Sequence, residues 1–523
     1  MARSRSVLVP ALVWATALVA GCTVSTGASP RPVRSAPSTP SASASPTPTR
    51  HDPVATAQPA PRELPGSSRW KLTRPATGSE IEGYANPTSI LPGHTVRLMV
   101  STTASHFRAY AYRIGGYRSG AGRLVWMSRS RPGRRQPPPA LAADTRTVVA
   151  GWPASLSVDT TDWPPGFYLV KLVAASGYQS YVPLTVRSAS TSGRIALVAP
   201  TMDWQAYNTW GGYSLYEAPP GRLHSWAVSF DRPNEAPGAG QFLYNVLGTV
   251  VLAERLGLPL AYESDTDVAT RPALLRGARA YVSLGHDEYW TAEERRQVTR
   301  ARDAGMNIAF LSSNTMYWRV RLAATPESPH RLVVGYKGDA TIADPLRLSD
   351  PVRTTARWRD GPHPDPENSL TGTLYECFPV DAPYRVATPG WWGFRGLGVR
   401  EGTELPHLVG EEADRVYPLA STPSPLQVLS NVSYDCDGVP TSSQSTYYTT
   451  SSGAGVIDFG TQKWACFVKP RCGNVPVEDD RFVRGVMRNV LREFAKGPVG
   501  RLHPAHSNVA DYLLPTVNTV PAS

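Results

Sequence analysis

Residues 278–290, ARAYVSLGHDEYW, decide how the chain is read. Residues 278–284 form a short apolar run, the pattern of a buried strand. Gly285 follows, then four residues able to do chemistry: His286, Asp287, Glu288 and Tyr289. A helix opens at once on TAEERRQVTRARDAG, with Thr291 as its N-cap and Glu294 placed to complete a capping box. A polar loop between a buried strand and a helix N-terminus lies at the carboxyl edge of a parallel sheet, where open α/β folds bind ligands.

Outward from this unit the alternation repeats. Residues 194–199 (RIALVA), 258–262 and 307–311 (NIAFL) read as strands, and 241–256 as an amphipathic helix. Strands alternating with helices imply a parallel sheet covered on both faces. This α/β domain is placed at 191–500. After Arg347 the pattern is irregular, with strands favoured over helices, until 480–494 returns to helical period. Residues 501–523 read as a polar tail. Upstream, residues 68–190 alternate in short runs such as TVRLMVS (95–101), FRAYAYRI (107–114) and GFYLVKLVA (166–174), parted by Gly/Pro turns. That spacing predicts an Ig-like β-sandwich of about seven strands. The fold class is therefore multidomain α and β.

Residues 1–21 carry the charged region, apolar region and small-residue site of an export signal. The apolar part is short for a membrane span. The sequence LVAGC ending at Cys22 resembles a bacterial lipobox, whose cysteine is lipidated. That predicts an exported lipoprotein on the outer face of the bacterial cell membrane. Ordinary cleavage with an incidental cysteine is the alternative. Residues 22–67 are rich in Ser, Thr, Pro and Ala, too poor in apolar residues to fold, and read as a linker. The net charge is +11. No basic run interleaved with aromatics accompanies it, so no nucleic-acid partner is expected. Residues 129–135 (RSRPGRR) read as a solvated hairpin tip.

Four further cysteines, Cys377, Cys436, Cys466 and Cys472, suit disulfides in an exported protein. Cys466–Cys472 closes a small loop and leaves Cys377–Cys436 as the second pair. Zinc is the rival reading, though no C-x2-C spacing supports it.

The carboxyl ends of four strands send four polar clusters toward one crevice: Asp203-Trp204 with Tyr207-Asn208, then 263–267 (ESDTD), then His286-Asp287-Glu288, then 312–315 (SSNT). Asp203, Trp204, Asn208, Asp287 and Asn314 are the candidates for binding substrate. His286 and Glu288 could serve as base and metal ligand. Alternatively His286 caps the sheet edge and Glu288 answers the helix dipole. There is no G-x-S-x-G elbow, P-loop or dinucleotide fingerprint, which argues against a serine hydrolase, an NTPase and a dehydrogenase.

The segments AYNTWGGYSLY (206–216), VSFDRP (228–233), YVSLGHDEYW (281–290) and NIAFLSSNTMYWR (307–319), with IEGYANPTSILPGHTVRLMVST (81–102), resemble the N,N-dimethylformamidase large (beta) subunit family. The resemblance implies a sheet similar to class I glutamine amidotransferases and hydrolysis of a small amide at one iron, Fe3+, held by two tyrosines and a glutamate. Glu288 falls on the glutamate ligand, Tyr207 on the first tyrosine and His286 on an assisting histidine. Glu412 is the counterpart of a second, assisting glutamate. The segment expected to supply the second tyrosine offers Phe230, which cannot ligate, so Tyr213 or Tyr216 is left to substitute. The resemblance also leaves open an oligomer or a small partner subunit. Two functions follow: a metal-dependent hydrolase of an amide C–N bond, or a non-catalytic cell-surface protein holding a sugar or envelope polymer among Trp204, Trp210, Tyr213, Tyr289 and Trp318.

Overall fold

Strand 307–311 and its neighbours assemble as the apolar runs require. In the computed structural model, which describes residues 60–469, 472 and 477–514, Leu260–Ser264, Ile195–Ala199, Ala280–Ser283 and Asn307–Phe310 lie side by side, all parallel. Every residue of these four strands is buried. Both faces are covered, so the runs are continuously apolar rather than alternating. The sheet does not end there. Gly455–Asp458 adds a fifth parallel strand, and Val439–Thr449 and Leu426–Cys436 extend it antiparallel to seven strands. The purely parallel sheet expected from the sequence is thus a mixed one. Helix Val477–Phe494 packs on this assembly through Val483, Val486, Met487, Val490, Leu491 and Phe494, all buried at helical spacing.

The segment around the key loop differs from a simple strand–loop–helix. Tyr289–Thr291 is itself a short strand, parallel to the start of Trp318–Thr325 in a second, four-stranded sheet. Helix Ala292–Asp303 then starts under Thr291, whose Oγ1 accepts from Glu294 N at 3.1 Å. Glu294 turns its carboxyl to the Tyr281 hydroxyl at 3.3 Å rather than back to the cap, so the capping box is half formed. The helix expected over 241–256 begins as a π-turn, Phe242–Val246, before α-helix Leu247–Arg255.

Residues 81–186 form two main β-sheets and a separate two-stranded pair, Ala140–Ala142 with Thr147–Val149. One has the order Ile81–Asn86, Thr95–Thr102, Leu156–Asp159; the other is built on Gln179–Val186, Gly166–Ala174 and His106–Ile114. Phe107, Leu172 and Val96 lie in the core between them. A different core runs across the expected boundary at 190, joining Ile114, Phe167 and Leu169 to Ile195, Leu197 and Val250. The same junction holds a buried ion pair, Arg113 Nη2 to Glu254 Oε1 at 2.7 Å, with Tyr262 OH donating to that oxygen at 2.6 Å. The described residues accordingly belong to one unit.

Two expected flexible segments are docked where they are described. Ser67 N donates to Gly122 O at 2.8 Å, so the linker expected over 22–67 is tied to the sheets by its end. In the expected polar tail, Asn508 Oδ1 accepts from Val428 N at 2.7 Å. The solvated hairpin tip expected over 129–135 is instead a short edge strand, Arg131–Pro132, paired with His106 and Phe107 through its backbone while its side chains stay exposed. Cys377–Cys436 and Cys466–Cys472 are both disulfides, which removes zinc as the reading of these cysteines. The signal, Cys22 and the linker up to residue 59 lie outside the described residues.

Candidate functional site

Glu288 is the hub. Its carboxylate is 2% exposed. Tyr207 OH donates to Oε2 at 2.7 Å, and Tyr216 OH lies 2.8 Å from Oε1 and 3.0 Å from Oε2. The two phenol oxygens are 3.4 Å apart, and their rings stack at 4.8 Å. Asn314 Nδ2 reaches both Glu288 Oε1 and Glu412 Oε1 at 3.3 Å. Three of the four polar clusters therefore meet, with residues 81 to 126 positions apart in sequence touching directly.

Local structure explains who arrives. Tyr207 ends helix Thr201–Tyr207, which springs from the first strand. Tyr216 arrives because residues 208–216 fold back. Gly211 and Gly212 take left-handed φ of 81° and 86°, where a side chain would be strained. Leu215 N bonds Ala206 O at 2.9 Å, and the buried Arg232 guanidinium clasps the carbonyls of Gln205, Asn208, Trp210 and Tyr213. Of the two substitutes for the second tyrosine, Tyr216 reaches Glu288, while Tyr213 gives its carbonyl to Arg232. Phe230 lies in an apolar cluster with Met202, Ala206 and Tyr289.

His286 sits one layer back. Its Nδ1 is 3.1 Å from Asp203 Oδ1 and its Nε2 3.0 Å from Glu412 Oε2. Burial works against charge on the ring, but the two carboxylates outweigh it and hold the imidazolium well above the usual histidine range. Burial pushes Asp203 upward in turn, and His286 pulls it back. We take the pair as ionic, with the ring donating from both nitrogens, since each nitrogen faces a carboxylate oxygen at bonding distance. Lys337, which the sequence reading did not single out, places Nζ 3.0 Å from the Tyr216 ring centroid and donates to Leu215 O. Burial lowers its ammonium to about 7, with Glu288 pulling the other way.

Other expected participants do different work. Asp287 accepts from Ser283 Oγ at 2.6 Å, beneath the loop. Asn208 donates to Gln205 and Pro233 and accepts from Trp210 N and Glu235 N, which uses up its amide in the fold-back. Trp204 is buried edge-on to Phe242. The 263–267 cluster is structural: Asp265 accepts from Thr201 Oγ1 and Met202 N, and Ser264 with Asp267 forms a full capping box. Trp210 turns to Glu82 at 2.6 Å and Tyr289 is enclosed, so neither of these two expected aromatics is free to face a ligand. Asp414, also missed, accepts from Asn314 N at 2.8 Å and so sets the left-handed turn (φ 55°) that aims Asn314. No periodicity or motif flagged Asp414 or Arg232.

Two donor sets could hold a cation. One is Asp203, His286 and Glu288, whose ligand atoms lie within 4.8 Å of one another. An imidazolium bonded at both nitrogens has no lone pair to give, so this set is poor as it stands. The other is Tyr207, Tyr216 and Glu288. Oxygens bound to one metal at 2.0–2.2 Å sit about 2.8–3.6 Å apart; with Glu288 Oε2 as the carboxylate donor the three separations here are 2.7, 3.0 and 3.4 Å, close to that range. Burial, then Glu288, pushes both phenols well above 10, so a cation is what would turn them into phenolates. The residues present fit a hard trivalent ion.

Residues 108–474, well over half of the chain, match the family model described as N,N-dimethylformamidase beta subunit-like, C-terminal. No curated protein matches. Among solved structures, a Paenibacillus cycloisomaltooligosaccharide glucanotransferase complexed with cycloisomaltoheptaose aligns over 46% of this chain and 28% of its own, at 10% identity and a TM-score of 0.15. That likeness is too slight to bear on fold or function.

Proposed function

The chain belongs to the N,N-dimethylformamidase beta subunit-like, C-terminal family, and on that footing we propose that it is a metal-dependent hydrolase of an amide C–N bond. The observation that carries this reading is the convergence of the Tyr207 and Tyr216 hydroxyls on Glu288, with the His286 ion pair beside them. Tyr207, Tyr216 and Glu288 would hold the ion, for which Fe3+ suits three hard anionic oxygens. When bound, such an ion supplies Lewis acidity to an amide carbonyl and acidity to a water.

The chain's own residues do the rest. Glu412, slightly exposed and bonded to His286, takes the proton of the attacking water. Glu412 then passes that proton to the departing nitrogen, while His286, whose two ring nitrogens are taken by Asp203 and Glu412, holds Glu412 in place. Asp203 fixes the ring through Nδ1. Asn314 spans Glu288 and Glu412 and keeps the two carboxylates in register. His286, expected as general base or proton shuttle, is read as the group that positions Glu412.

The two-sheet module at 81–186 is read as Ig-like, and the parallel strands as similar to class I glutamine amidotransferases. The N-terminal sequence supports export and lipid anchoring at Cys22, and an oligomer or small partner subunit stays part of the proposal. The test is turnover of N,N-dimethylformamide by iron-reconstituted protein, with a chelated control. Hydrolysis that follows iron supports the reading; equal rates with and without iron overturn it.

A further inference from the structure

Alongside Tyr207 lies a cavity of about 410 Å3 that the chemistry above leaves unused. Tyr207 is part of its wall. So is Glu411, whose chain neighbour Glu412 holds His286. Of the groups assigned to chemistry, Tyr207 is the one on its wall, and the cavity meets the site at that side chain. A dialkyl formamide would fill only a small part of it, while drug-sized ligands occupy cavities of about 300–1,000 Å3.

The wall has a definite chemistry. Trp204 Nε1, a donor, and Asn245 Oδ1, an acceptor, have no partner, on side chains 8% and 2% exposed. A buried polar group left unpaired costs about 1–3 kcal/mol, so both are suited to bonds from an occupant. Asn245 also packs against Gly285, where a Cβ would come within 2.4 Å of it. That close approach sets the cavity directly behind the His286 loop. Among the described residues lining it there is no lysine or arginine, and its charged groups are Glu235 and Glu411. Carboxylates repel anionic groups. Aromatic faces with a donor and acceptors suit a neutral, hydroxylated ring.

We propose that this cavity is a subsite for a neutral, hydroxylated, sugar-sized group, so that the substrate class is an N-acylated amino sugar. The subsite's place in catalysis rests on the amide-hydrolase reading. The occupant's amide would reach past Tyr207 to Glu288 while its ring stays beside Trp204 and Asn245.

Gly240 offers a clean test. It lines the cavity, is exposed, and a Cβ added there meets nothing within 4 Å. Gly240→Phe places a ring at the mouth and touches none of the residues assigned to chemistry. The probe is N-acetylglucosamine, titrated calorimetrically into wild type and Gly240→Phe, with and without iron. Hydrolysis of N-acetylglucosamine and of N,N-dimethylformamide is measured in parallel. The expected result is binding by wild type that weakens about tenfold or more in the variant, with dimethylformamide turnover unchanged. Absence of binding to wild type, or equal binding to both proteins, overturns the proposal. Binding that weakens in the variant when neither amide is hydrolysed supports the subsite and refutes only the hydrolase reading.

Discussion

A double-mutant cycle on the two phenols tests whether they truly hold Glu288. The carboxylate is buried, and its partners are Tyr207, Tyr216 and the longer contact from Asn314. A hydrogen bond to a charged group contributes about 1.5–3 kcal/mol. Tyr216→Phe removes only the hydroxyl, because the ring stays stacked on Tyr207 at 4.8 Å. Tyr207 and Asn314 remain on the carboxylate, so the cost falls at the low end, about 1.5 kcal/mol. The same reasoning applies to Tyr207→Phe. The double variant leaves Glu288 with the 3.3 Å Asn314 contact alone of these three. With only that one long contact left on a side chain 2% exposed, the cost falls in the upper half of the about 3–5 kcal/mol for an uncompensated buried charge, so the double exceeds the sum of about 3 kcal/mol by about 1–2 kcal/mol. Urea denaturation of the metal-free proteins at pH 7 measures all four corners. Additivity within about 0.5 kcal/mol would refute the clamp.

Other outcomes follow from the same structure. Glu254→Gln strands the buried Arg113 at the junction of the two halves and is expected to cost about 3–5 kcal/mol in urea midpoint stability, with Arg113→Leu/Glu254→Leu recovering much of it. Loss of Cys377–Cys436, which spans 59 residues, should cost about 4 kcal/mol, and loss of Cys466–Cys472, which spans 6, about 2 kcal/mol, read by denaturation of the paired Ser variants. Burial, then Asp267, raises Glu263 to about 8. A folded pKa above the unfolded value of about 4.3 confers stability that is full below pH 4 and lost as pH rises through about 8. The stability of Glu263→Gln should therefore fall less steeply between pH 5 and 8 than that of wild type, and an identical slope would contradict the assignment.

How much of this was legible in the sequence depends on distance along the chain. The strand–loop–helix at 280–303 was readable because its apolar run and its Thr291 cap are local signals. The meeting of Tyr207 with Glu288 was readable too, since both follow parallel strands and so share one sheet edge. Tyr216 could only be left as one of two substitutes. Its arrival depends on Arg232 gathering four carbonyls, a tertiary event that no pattern in AYNTWGGYSLY encodes. The fifth strand, 455–458, escaped because four residues flanked by glycines look like a turn until the Asn307–Phe310 edge pairs with them. ESDTD was grouped with the crevice clusters but caps helices, since carboxylates satisfy orphan backbone N–H groups as readily as they do chemistry. Lys337 stands just after the strand Ser328–Val334 with no motif around it, and only the folded chain reveals its seat over Tyr216.

The central claim is that two phenols and one carboxylate share a metal. Elemental analysis and visible absorption of wild type and Glu288→Ala, purified and reconstituted identically, test it most directly. The account predicts stoichiometric iron and a phenolate-to-iron colour band in wild type, with both lost in the variant. Wild type without iron after reconstitution, or Glu288→Ala with the same iron and the same band, would contradict it.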